Sequence, residues 1–282
     1  MKNKLISNII KIFIIIITIF IVTLSTCIII GNIKLSNVIK EKINRIYSTS
    51  DNISNKKFSY DQIKDLPEPV QKYLKYAIKE GQPYINYVKL KHTGKYRSSP
   101  NSKWENANGE NYISLEEPHY LWKAKIGIIT PIETFIDDQG KLVVYLFSLL
   151  KVIELSGKDA DKGALLGWLG ESVFFPTAFI SNQYIKWEPI NTNSARLLIN
   201  YKGINAYFIV SFNEKGEPVV WESERVGMDN KISKWRVRCI DFKEINGMII
   251  PTRLDISVDI KSEEFTYVTF YFNTIEYGLQ KK

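Results

Sequence analysis

The 282-residue chain is 45% hydrophobic and 13% aromatic, enough for one domain of about 200–220 residues with a substantial core plus appendages. Its formal charge is +8, of which residues 1–34 carry +4, residues 35–60 carry +3 and residues 61–282 only +1. The basic excess sits beside an apolar N-terminal run and not on the domain, which argues against a nucleic-acid partner, and with Cys27 in that run the domain holds only Cys239, which excludes an intradomain disulfide and a zinc or redox cysteine motif.

Residues 12–31, IFIIIITIFIVTLSTCIIIG, hold no charge. About 20 helical residues at 1.5 Å each cross the roughly 30 Å hydrocarbon core of a membrane. Lys2, Lys4 and Lys11 precede the run, so the positive-inside rule expects a cytoplasmic tail (1–11), a single-pass transmembrane anchor in the cell membrane (12–31) and the domain on the outer side. Leu24-Ser25-Thr26-Cys27 resembles a lipobox, but Thr26 fits poorly before the cysteine and the apolar run continues past it. Span length and flanking charge favour an uncleaved anchor, and either version leaves the domain outside and tethered. Residues 32–60, rich in Asn, Ser, Lys and Ile, read as a juxtamembrane helix followed by a linker, and residues 61–282 as the domain.

Residues 66–80, LPEPVQKYLKYAIKE, predict an amphipathic helix: Val70, Tyr73, Leu74, Ala77 and Ile78 recur on one face, prolines suit its first turn, and Gly81 suits its C′ position. From residue 84 the period changes to two. Strands are expected over 84–98, 103–115, 119–128, 132–136 and 141–155, with turns at Asn108-Gly109, at residues 138–140 and at Ser156-Gly157. Further strands are expected near 184–188, 194–202, 206–212, 218–227, 232–242, 248–260 and 264–276, and the short connections imply antiparallel neighbours. Trp235, Val237 and Cys239 oppose Lys234, Arg236 and Arg238, so one sheet face is buried and the other wet, and Cys239 is a core residue. The last strand, FTYVTFYF, is apolar on both faces and is expected where the sheet is covered on both sides or in a membrane-proximal apolar patch.

Between the two runs of strands, residues 161–180 predict a central helix, with Asp161 able to cap its start. Leu165, Leu169 and Val173 form one stripe; Gly163, Gly167 and Gly170 form another. Each glycine costs about 0.8–1 kcal/mol relative to alanine, so close approach of a sheet, a backbone or a ligand should compensate. Glu171 is the only acid between Asp161 and Glu188 and is expected to pair with a sheet arginine, Arg225 first and Arg97 second.

The segments LPEPVQKYLKYA, HYLWKA, the E-x-x-x-F-P that starts at Glu171, SARL, ESER and NGMIIPTRL, in that order, resemble an uncharacterised bacterial domain-of-unknown-function family over about residues 66–276. The resemblance implies a helix with Arg-Tyr-Leu-Ala-Glu where this chain has Gly167-Trp168-Leu169-Gly170-Glu171, so the family's arginine is missing; Glu133 stands where an aspartate is common. In layout the chain also looks like the lipoprotein-carrier half-barrels. The expected fold class is α+β: one curved, mainly antiparallel sheet, an incomplete barrel, with helices on its concave face and a transmembrane helix before it.

No Ser-His-Asp spacing, zincin motif, nucleophile elbow or Walker loop is present, and no cofactor or metal is implied; the run from Lys158 to Gly163 misses calcium-loop spacing. No reaction is legible. The expected function is a membrane-anchored domain binding a lipid or other apolar molecule through Trp168, Glu171, Gly167, Phe174, Phe175, Trp122, Trp235, Arg225 and Arg97. In that reading a guest fills the glycine stripe, and Gly167→Leu blocks it without unfolding the domain. A structural or interaction domain of the envelope is the alternative, and an acid–base enzyme using Glu171 a third reading.

Overall fold

The computed structural model describes residues 2–48, 56–181, 183–227, 231–261 and 263–278. Among them, one antiparallel sheet holds thirteen strands. The first run is β1 (Tyr87–Tyr96), β2 (Glu105–Ser114), β3 (Tyr120–Ile126), β4 (Ile129–Ile136), β5 (Gln139–Leu146) and β6 (Leu150–Ser156). The second is β7 (Ile185–Asn191), β8 (Ser194–Tyr201), β9 (Ile204–Phe212), β10 (Pro218–Val226), β11 (Ile232–Ile245), β12 (Met248–Ile260) and β13 (Glu263–Tyr277). Each run is a meander, as short connections require, and β1 pairs with β13 to join them. The sheet edges, β6 and β7, therefore lie in mid-chain, and the segment between them crosses from one edge to the other. That segment holds α3 (Lys158–Glu171). It touches β3, β4, β5 and β6 of the first meander and β9 and β10 of the second, so the sheet curves around it as an incomplete barrel.

Several local expectations give way to packing. Residues 141–155 form two strands and a turn, although no glycine, proline or asparagine marks the reversal; Phe147 and Ser148 take φ of 53° and 58° instead. Asn108-Gly109 makes no turn. It lies inside β2, where the missing Cβ of Gly109 makes room for the His92 ring. The helix α2 (Glu68–Ala77) ends before Gly81, because Ile78 turns extended to bridge Met248. The central helix begins after Gly157, not at Asp161, whose carboxylate accepts the Gly140 N–H at 2.7 Å. It stops at Glu171 and passes through a 3-10 turn to the short α4 (Ala178–Ser181).

The first helix, α1 (Lys2–Ser48), is continuous through the expected anchor and juxtamembrane segment. In residues 6–26 every side chain is exposed. From Gly31 onward one stripe is buried, with Leu35, Ile39 and Ile46 packed on Tyr87, Tyr112, Leu121 and Ile132. These four side chains stand on the outer face of β1–β4, opposite the face that α3 covers. The twice-covered stretches are thus residues 111–114 of β2 and the body of β4, where burial is continuous, and not β13, where Tyr271 is exposed. Ile46 is fully enclosed. Ile46→Ala is expected to lower stability by about 2–4 kcal/mol, read as a shift in urea midpoint of the detergent-solubilised chain.

Candidate functional site

The register places Asn111 of β2 opposite Trp122 of β3, and Trp122 opposite Glu133 of β4, so the three form one row on the face under α3. Tyr120, two residues along β3, points the same way, with its ring against Gly167. Two polar groupings sit in this layer. In one, the Asn111 amide donates to the Glu171 carboxyl and the Tyr120 hydroxyl lies 3.4 Å from Glu171 Oε1. In the other, Arg225 of β10 donates to Glu133, with its guanidinium 5.3 Å from the Trp235 ring centroid and alongside Gly163.

The expected Glu171–Arg225 pair is therefore replaced. Arg225 is taken by Glu133, and Arg97 lies elsewhere, between Trp104 and Phe265 with a 2.9 Å bond to the Thr266 carbonyl. Glu171 has no ion-pair partner among the described residues. Burial pushes its pKa up to about 8; the nearby Glu133 charge adds to the rise, and the Asn111 and Tyr120 hydrogen bonds oppose it. The residue as a whole is half-buried, with its carboxyl in the enclosed layer under α3. Asn111 is fully buried, and its Oδ1 has no partner.

A model of a family of unknown function, DUF6544, matches residues 56–270. The chain belongs to the DUF6544 family. No protein of curated function matches the sequence. Among solved structures, a LolA superfamily protein from Nitrosomonas europaea aligns at 12% identity and TM-score 0.41, over 76% of this chain and 93% of that one. A putative outer membrane lipoprotein-sorting protein domain from Vibrio parahaemolyticus aligns at 9% and 0.41, over 70% and 88%. A DUF1329 family protein from Desulfovibrio piger aligns at 10% and 0.36, over 70% and 88%.

In this DUF6544 chain the glycine stripe is occupied by the protein's own side chains. A Cβ at Gly167 would stand 3.1 Å from the Tyr120 ring, at Gly163 3.2 Å from Arg225, and at Gly170 3.4 Å from Phe208. Trp168 is enclosed and donates to the Ser114 carbonyl at 2.8 Å, and Phe174 and Phe175 are core residues. Trp122 donates to His92 Nε2 at 3.0 Å. His92 is thereby held neutral, its pKa lowered by burial to about 3. The space beside Arg225 and Gly163 is a cleft of about 110 Å³, also lined by Asp159, Lys162 and Ile232. It is small beside the roughly 300–1,000 Å³ of a typical ligand pocket.

Asn111 and Tyr120 escaped the sequence reading, because an inward asparagine in an alternating strand looks like any polar residue until the register is known. Two outcomes follow. Gly170→Ala meets only ordinary contact and is expected to stabilise by up to about 1 kcal/mol through helix propensity, whereas Gly167→Leu overlaps Tyr120 and is expected to destabilise by about 1–3 kcal/mol, both read from denaturant midpoints. This reverses the expectation that Gly167→Leu leaves the fold intact. Glu171 binds a proton in the native chain between its unfolded pKa near 4.5 and its folded value near 8. Its contribution to stability is full below about pH 4.5 and lost as pH rises to about 8. Glu171→Gln is expected to remove that fall and to leave the variant more stable than wild type at pH 8.5, checked by urea titration at pH 5.5 and 8.5.

Proposed function

We propose that this DUF6544 chain is a membrane-anchored domain on the outer side of the cell membrane that takes up a lipid or other apolar molecule on the α3 face, with Glu171 meeting the polar end of the guest. The observation that carries the reading is the enclosed Glu171 carboxyl without a cation. A purely structural interior has little reason to hold such a group, since burying an unpaired acid is costly. Aromatic walls from Trp122, Trp235 and Phe270 surround a small set of polar groups, the composition apolar-ligand sites use. Because the existing cleft is small, a guest has to displace α3 or the side chains against its glycines. The anchor rests on α1, the one helix long and apolar enough to cross a membrane among the described residues, and its orientation on Lys2, Lys4 and Lys11.

The filled glycine stripe favours a second reading, a structural or interaction domain of the envelope with no small ligand. Acid–base catalysis by Glu171 is weaker. The cleft opens at Gly163, eight residues and about 12 Å along the helix from the carboxyl. Native mass spectrometry of the full chain released from mild detergent, together with titration by a fluorescent long-chain fatty acid, separates the first two. Bound lipid in near 1:1 ratio and saturable probe binding are expected. A folded chain carrying neither guest nor probe would leave the structural reading. Protease added to intact cells is expected to remove residues 61–282, and complete protection would reverse the orientation.

A further inference from the structure

The turns at one end of the first meander are apolar and exposed. Ile128 lies in the β3–β4 turn at 54% exposure, and Phe147, Leu149 and Leu150 lie at the β5–β6 turn at 39%, 38% and 57%. The two turns form one patch: the Phe147 N–H donates to the Ile128 carbonyl at 2.8 Å, and the Thr130 and Ser148 hydroxyls are 3.3 Å apart. In a soluble surface such a cluster is a liability, and it marks a surface with a partner.

The position of α1 identifies that partner. A Cβ at Gly31 would stand 3.0 Å from Leu149 and 3.1 Å from the Ser148 carbonyl, so the β5–β6 turn is seated against the helix at the last residue of the charge-free run. Beyond it α1 runs along the sheet to the opposite end, where Arg45 binds Asp137 of the β4–β5 turn. Before it, residues 6–26 project clear of the domain. The patch therefore lies level with the point where the helix leaves the hydrocarbon. Trp104, 41% exposed in the β1–β2 turn, is at the same end, since Glu105 reaches Gly127. Lys34 follows one turn after Gly31 on an exposed face of α1. Aliphatic side chains with a tryptophan and a lysine beside them are what the interfacial zone of a bilayer accepts.

We infer that the β3–β4 and β5–β6 turns are a second membrane contact: Ile128, Phe147, Leu149 and Leu150 enter the interfacial layer of the bilayer beside Gly31 and hold the domain upright on it. The contact fixes which end of the sheet faces lipid, which a tether alone leaves free. It rests on the reading of α1 as a membrane span and on nothing about a bound guest.

The test uses the full chain with Cys27→Ser, reconstituted in phosphatidylcholine vesicles with and without lipids brominated near the top of the acyl chain. A nitrobenzoxadiazole label is placed at Leu149→Cys, at Phe20→Cys within the span, or at Lys215→Cys in the β9–β10 turn. Labels at 149 and 20 are expected to lose most of their emission to bromine, and the label at 215 none. Quenching at 20 without quenching at 149 overturns the inference and leaves the anchor standing. Quenching at neither removes the anchor and the contact together. Equal quenching at 149 and 215 means the domain lies on the bilayer with no preferred end, which also overturns it. Because Leu149→Cys removes part of the patch, a label at Lys151→Cys, just beyond it, provides the second reading: it is expected to be quenched, and Leu149→Glu with Leu150→Glu is expected to abolish that quenching.

Discussion

The constraint on which the structure depends is that α3, beyond its first turn, has no polar side to offer water. From Gly163 to Leu169 every residue is buried, so the helix needs partners all round. A flat sheet supplies one face only. The solution is a long antiparallel sheet whose two meanders close on opposite sides of the helix, with β4 and β5 on one flank and β9 and β10 on the other. The glycines are where this is tightest. A Cβ at Gly163 or Gly167 would crowd the Arg225 guanidinium or the Tyr120 ring, whereas one at Gly170 would meet Phe208 at ordinary contact distance. At Gly163 and Gly167 the helix-propensity cost is thus offset by close contacts that a larger residue would disturb.

The same demand explains why polar groups lie in the interior. The row Asn111, Trp122, Glu133 faces α3 because strand register leaves those positions no other face. Glu133 resolves its charge with Arg225. Glu171, left with an amide and a hydroxyl, resolves its own by holding a proton, and burial is the larger cause. Two acids in one enclosed layer, with an arginine in reach of only one of them, divide into one ion pair and one acid that leans neutral.

A second layer forms on the outer face. The buried stripe of α1 at Leu35, Ile39 and Ile46 covers Tyr87, Tyr112, Leu121 and Ile132, so parts of strands β2–β4 are sealed between two helices of different origin. The stretch expected as a juxtamembrane helix is helical to Ser48, and its buried stripe makes it a structural element of the domain. Its direction ties the apolar N-terminal half to one end of the sheet.

The sequence by itself determined the elements with strong local patterns. The charge-free helix, the amphipathic α2, the alternation of β11 around Trp235, Val237 and Cys239, the antiparallel class and the family resemblance all follow from residue spacing or from motif order. These are properties of single segments, where periodicity and neighbouring turns carry the information. Only the tertiary structure decided which segments meet. The β5–β6 reversal has no local turn residue; it exists because β6 pairs back on β5. Asn108-Gly109 looks like a turn but stays extended, because β1 and β3 flank it and His92 needs the space. The partner of Glu171 was misread for the same reason. A buried acid attracts an arginine in principle, but β4 and β10 are not neighbours in the sheet, and only the curvature that wraps both around α3 brings Glu133 to Arg225 and leaves Glu171 to Asn111 and Tyr120.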